Sequence, residues 1–202
     1  MTVPVLVTPD GVFNESEAIL RYADERTPEA ERLFPVDADA RDAAVALSRE
    51  LDEGLGPDGR RWIYAHMLQH KGLVLRFNDQ GVPRWEHALM RAAFPLVGAF
   101  AKRKLGVGAR TIAEDEPRVW RAFDGIADRL ADGRRYLCGD RFTAADLTFA
   151  CLAAPVLAPT RYGVRLPQPS ELPAPLATSI ERFRAHPAGV FALRLYAERA
   201  GA

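Results

Sequence analysis

The rhythm of apolar positions changes once along this chain, near residue 39. Before that point it is the short period of strands. Val3-Pro4-Val5-Leu6-Val7 is an unbroken apolar, β-branched run, the pattern of a buried strand. Thr8-Pro9-Asp10-Gly11 has turn chemistry, with Pro setting φ and Gly free to take a positive φ. Val12-Phe13 predicts a short second strand. Asn14-Glu15-Ser16-Glu17 is a helix-start cluster, and Asn14 with Glu17 three residues on predicts a capping box. Ala18, Ile19, Tyr22 and Ala23 then share one helical stripe. The opening therefore reads strand, turn, strand, helix. Pro4 inside a strand is ordinarily an edge feature, yet this run is too apolar for an ordinary edge.

Two prolines punctuate Thr27 to Pro35, which reads as a linker. After it the period is helical throughout. Ala44, Leu47, Leu51 and Leu55 mark one helix, and Gly54, Gly56, Pro57 and Gly59 are expected to interrupt it. A second stretch is predicted from Arg60 to about Gln69. Pro83 suits the first position of a helix continuing past Leu96, with Pro95 expected to kink it. Val119, Phe123, Ile126, Ala127 and Leu130 form one face of a helix over 114–131, and Gly133 is a natural stop. Two final helices are expected over about 175–185 and 187–199. The boundaries drawn from these shifts are 1–27, a linker at 28–38, and an all-helical domain at 39–202.

The sharpest local signal is Phe142-Thr143-Ala144-Ala145-Asp146-Leu147. Thr143 is a good N-cap, and Asp146 at the third helical position can reach back to the Thr143 N–H. Phe142 and Leu147 form the matching hydrophobic staple. The helix that follows is apolar all round, as a buried central helix is. Thr143 and Asp146 are thus a structural N-capping box rather than a catalytic pair.

Composition narrows the chemistry. With 27 basic and 27 acidic residues the formal net charge is zero, so nothing argues for nucleic acid or an acidic membrane as partner. No apolar run approaches the ~18 residues of a membrane span. Two cysteines, Cys138 and Cys151, fit a reducing, cytoplasmic setting without disulfides. Cys151, in an apolar helix, reads as a buried small hydrophobe, and Cys138 as packing. His66 and His70 have the spacing of one helix face, but no third ligand is placed nearby, so no metal is assigned. Arg60, Arg61, Trp62, Tyr64 and His66 are either a cleft-facing aromatic cluster or surface Arg beside core Trp and Tyr. Lys102-Arg103-Lys104 reads as a solvated helix end.

The opening residues Val3-Pro4-Val5-Leu6, Asp10-Gly11, Glu15-Ser16, Ala18-Ile19 and Tyr22, with Tyr136 to Leu147 farther on, resemble the glutathione transferase superfamily. The resemblance implies an α+β, mostly α fold. It joins a partial thioredoxin-like β-β-α unit to an all-helical glutathione-transferase C-terminal-like domain. It implies glutathione as substrate, without a metal cofactor. Val3 and Pro4, joined by a cis peptide bond, would pair with the cysteinyl part of glutathione. Glu15 and Ser16 would hold its γ-glutamyl end at a helix N-terminus; plain helix capping is the other reading, and both can hold together. The partners implied are a hydrophobic small-molecule second substrate and a second copy in a homodimer.

The family's opening strand–helix–strand unit, ~30 or more residues long, is expected to be missing from these residues. That unit carries the catalytic Tyr, Ser or Cys, so no catalytic residue is assigned. Weak or no transferase activity is expected of the chain by itself. A non-catalytic module for protein–protein association is the alternative.

Overall fold

The computed structural model describes residues 4–78, 81–108 and 111–199. Two short strands, β1 (Leu6–Thr8) and β2 (Gly11–Phe13), pair antiparallel with Leu6 opposite Phe13 and Thr8 opposite Gly11. They lead into α1 (Ser16–Asp24), a 3₁₀ turn at Glu29–Glu31, and then α2 (Ala38–Glu53). Next come α3 (Leu55–Met67), α4 (Lys71–Asn78), α5 (Arg84–Leu105) and α6 (Thr111–Leu130). The central α7 (Ala144–Leu157) is followed by α8 (Ala174–Ala185) and α9 (Pro187–Arg199). This is a mostly helical α+β architecture, a β-β-α unit followed by a helical bundle.

A two-stranded sheet is marginal alone, and side chains tie this one to α1. The Tyr22 hydroxyl donates to Asp10 at 2.8 Å, and Arg26 reaches the same Asp10 oxygen at 2.7 Å. The α1 unit is tied in turn to the linker. Asp24 is buried, and its carboxylate accepts the backbone N–H groups of Leu33 and, at 3.1 Å, Phe34. The linker is fastened to the bundle by the Ala144 N–H, which donates to the Leu33 carbonyl at 2.9 Å. It is therefore packed structure, with Phe34, Val45 and Ala144 forming a small core of their own.

The main core gathers α2, α3, α6, α7, α8 and α9 around Trp62, Phe123, Phe149 and Phe183, all fully buried. Trp120 stacks on Phe183 with ring centroids 4.1 Å apart, as aromatic pairs in a close-packed core do. At the start of α7, the Thr143 N–H and the Leu137 N–H each donate to Asp146 at 2.8 Å. The Thr143 hydroxyl adds a third bond at 2.9 Å. The carbonyls at the other end of α7 are taken by Arg184, which bonds Leu157 at 2.7 Å and Ala158 at 2.5 Å.

Four expectations are corrected. The box between Asn14 and Glu17 does not form: α1 starts at Ser16 with Glu15 as its N-cap residue, and Glu17 turns instead to Arg21 and Arg49. Ala23 is exposed, while Leu20 carries the contact with the small core. Gly56, Pro57 and Gly59 do not interrupt the helix. Only Gly54 breaks it, Pro57 sits in the first turn where its missing N–H costs nothing, and the two buried glycines lie against Leu152 and Val156 of α7. His70 lies beyond the end of α3, so it shares no helix face with His66.

Candidate functional site

Where α1 meets α2 and α7, a cavity of about 330 Å³ opens between the β-β-α unit and the bundle. Pro4 and Ser16 border it from the opening unit, Val45 and Ser48 from α2, and Leu147 and Thr148 from α7. Its walls are largely apolar, with Ile19, Leu20, Phe34 and Leu152 among them. A concave apolar space with a few convergent polar groups is the usual form of a small-molecule site.

The polar groups sit along one rim. Glu17 is held by Arg21 at 2.8 Å and by Arg49 at 3.3 Å. Partial burial pushes the Glu17 carboxyl up, but the bonds and charges of the two arginines outweigh it and keep it below its usual value. Asp52 also faces this rim, and partial burial together with the Glu17 charge pushes its carboxyl up. Arg21 lies 4.5 Å over the Phe34 ring, so one guanidinium joins the ionic rim to the apolar wall.

The four residues named from the sequence fall as follows. Ser16 is the first residue of α1 and borders the cavity, and Pro4 borders it as well. Glu15 is exposed just ahead of the helix, in extended conformation. Val3, and with it the Val3–Pro4 peptide bond, lies outside the described residues. The N-terminal N–H groups of a helix favour an anion, and Ser16 and Glu17 of the first turn of α1 line the cavity.

Other residues took different places. Cys151 is exposed rather than buried, and it lines the cavity from α7. The surrounding protein wall still holds the Cys151 thiol above its ordinary value. Cys138 is half-buried, and burial pushes its thiol up too. The Arg60–His66 cluster does not face this cavity. Trp62 is core, with its indole N–H donating to Glu116 at 3.2 Å. Arg61 is paired with Asp58 and, at 2.8 Å, with Asp115. Tyr64 is exposed. Among the described residues, no three His, Cys, Asp or Glu side chains gather as a metal site would require, and no helix is long and apolar enough to cross a membrane.

Sequence reasoning missed Ser48, Arg49, Asp52 and Thr148. No local motif marks them; they meet Ser16 only because α2 and α7 pack side by side.

Residues 109–186 match the family model for the glutathione S-transferase C-terminal domain. No curated protein matches the chain. Among solved structures, a class Gtt2 glutathione S-transferase of Vibrio parahaemolyticus aligns at 21% identity and a TM-score of 0.49, over 98% of this chain and 69% of its own. A glutathione S-transferase from Methylobacterium radiotolerans, solved with glutathione sulfonate, aligns at 21% identity and a TM-score of 0.40, over 95% of this chain and 72% of its own. The beta-etherase LigF from Sphingobium sp. aligns at 17% identity and a TM-score of 0.51, over 96% of this chain and 78% of its own, a likeness of fold.

Proposed function

We propose that this chain, whose residues 109–186 match the family model for the glutathione S-transferase C-terminal domain, is a glutathione-S-transferase-like protein that binds glutathione where α1 borders the cavity. The observation that carries this reading is the position of Ser16. It is at once the first residue of a helix and a wall of an apolar cavity closed by α7. An anionic tripeptide end and an apolar second substrate would thus lie side by side.

In this reading residues 1–27 hold glutathione, 28–38 link, and 39–202 supply the wall for the second substrate. The Ser16 hydroxyl and the free N–H groups of α1 hold the γ-glutamyl carboxylate. Glu15, exposed beside them, pairs with the γ-glutamyl ammonium. Val3 and Pro4 take the cysteinyl backbone. In a full-length form that also carries the family's catalytic strand, the glutathione thiolate then attacks an electrophilic carbon of the apolar substrate. A C–S bond forms as the leaving group departs with its electron pair. With a mixed disulfide, the thiolate attacks sulfur and expels the other thiolate. The protein contributes positioning and exclusion of water. A cytoplasmic location and a homodimer belong to the same reading.

Calorimetric titration of glutathione into the wild-type chain and into Glu15→Ala and Ser16→Ala tests it. A hydrogen bond to a charged group is worth ~1.5–3 kcal/mol, so each variant is expected to bind roughly ten- to a hundredfold more weakly. Equal affinity in all three proteins would remove these residues from the site.

A further inference from the structure

The chain leaving α7 folds against α9 and walls a second pocket. Ala158 takes a left-handed conformation, φ 45°, and is the one non-glycine residue to do so among the described residues. Such a backbone persists only where its surroundings hold it, and it recurs at ligand sites. Here Arg184 holds it through the Ala158 carbonyl, at 2.5 Å. The turn sets Pro159 and Arg161 against Leu193 and Tyr196 of α9, and Arg184 of α8 completes the wall. The space between them is about 380 Å³, within the ~300–1,000 Å³ of small-molecule sites. None of these walls lines the cavity beside α1. The Tyr196 ring is fixed in place, because its hydroxyl donates to the Ala150 carbonyl at 2.9 Å and Tyr162 packs edge-on with centroids 6.0 Å apart.

The charged side chains of this wall, among the described residues, are both arginines. Arg184 donates through Nε to the Leu157 carbonyl and through Nη2 to the Ala158 carbonyl and the Gln168 side chain. Arg161 donates through Nη1 to the Ala197 carbonyl at 3.2 Å. Every acceptor is neutral, and neither arginine forms an ion pair among the described residues. Glu181 is exposed one turn earlier on α8, and Glu198 is held by Arg194 at 3.5 Å and Arg135 at 3.8 Å. The C-terminal ends of α7 and α9 contribute roughly half a negative charge each, so the two guanidiniums leave about one positive charge over. Burial accordingly lowers Arg184 below its ordinary value, against a smaller opposing pull from Glu181. Nη1 of Arg184, and Nε and Nη2 of Arg161, have no protein acceptor among the described residues. A planar fork of N–H donors matches a carboxylate, while Pro159, Leu193 and the Tyr196 ring suit an apolar body. We propose that this pocket binds a small organic carboxylate, its charge between Arg161 and Arg184 and its apolar part against Leu193 and Tyr196. The site does not depend on the glutathione reading and stands or falls without it.

Titration of the isotope-labelled chain with benzoate at constant ionic strength, followed by nuclear magnetic resonance, tests the proposal. Saturable shifts are expected at the amides of Arg161 and Tyr196 and at the Arg184 side chain, with none from neutral benzamide. Arg161→Gln removes one cation and should fold normally by circular dichroism, since the side chain is exposed and makes one hydrogen bond. It is expected to weaken benzoate binding by about tenfold. Arg161→Lys keeps the charge without the fork and should fall between that variant and the wild type. Arg184 stays in place in these variants because it caps α7. No saturable shift at these residues, equal binding of benzamide, or indifference to Arg161→Gln would overturn the proposal. Benzoate shifts confined to Ser16, Glu17 and Thr148 would put the anion in the cavity beside α1 and overturn it as well. Phenyl phosphate binding about tenfold more tightly than benzoate would overturn the choice of a carboxylate in favour of a phosphate ester.

Discussion

Asp146→Ala removes the acceptor for three donors at the head of α7. Two are the backbone N–H groups of Leu137 and Thr143, at 2.8 Å each, and the third is the Thr143 hydroxyl. Both residues are buried, and Asp146 itself has no exposed surface. The hydroxyl can rotate toward another acceptor, but the two N–H groups cannot. A buried donor left unsatisfied costs ~1–3 kcal/mol, so the pair costs about 2–6 kcal/mol. Two terms oppose this. Alanine has the better helix propensity by ~0.5 kcal/mol. Burial also pushes the Asp146 carboxyl up, so some desolvation cost disappears with it. The expected loss is about 3 kcal/mol, a large part of the ~5–15 kcal/mol typical of a native protein. Urea unfolding followed through buried Trp62 should show a midpoint lower by about 1 M or more. Thr143→Val keeps both backbone bonds and should cost only about 1 kcal/mol. A loss below about 1 kcal/mol for Asp146→Ala would refute the reasoning, as would equal losses for the two variants.

Two further outcomes follow from particular contacts. His66 Nε2 is buried without a partner, and burial, with the nearby His70, lowers the ring below its ordinary value of 6.5 despite the opposing pull of Glu116. The unfolded chain therefore binds the proton more readily, and stability should fall as pH drops from 6.5 toward the lowered value. His66→Leu should flatten that slope in melting curves between pH 5 and pH 7.5, and an unchanged slope would contradict the assignment. A methyl group on Gly189 would strike the Phe183 carbonyl oxygen, with the carbonyl carbon only 2.9 Å away. Both belong to backbone that cannot yield, so Gly189→Ala should lower the melting temperature by several degrees although alanine is the better helix former. A melting temperature equal to the wild type would show that α8 and α9 separate freely.

What could be read from the residues alone was local. The Thr143–Asp146 box and the stripe of Val119, Phe123 and Ile126 depend on neighbours within two helical turns, and both are present. The start of α1 was readable, but its box was not, because Arg49 competes for Glu17 from 32 residues away. The glycines of α3 were misread because a helix packed closely on α7 and a broken helix use the same residues. Cys151 was placed inside because α7 is apolar all round; one side of that helix faces a cavity rather than more protein. Ser16 was legible as a candidate for the site through the resemblance carried by Glu15-Ser16 at a helix start. Arg49, Asp52 and Thr148 were not, since only the packing of α2 and α7 brings them to it.

The most direct measurement of the central claim is a glutathione titration of the isotope-labelled chain followed by nuclear magnetic resonance. Glutathione bound at the N-terminus of α1 should move the amide signals of Ser16 and Glu17 first. Smaller shifts should appear at Thr148 and Cys151 across the cavity, and an apolar electrophile analogue should enlarge those. Signals that do not move, or that move only at residues away from α1 and α7, would contradict the account.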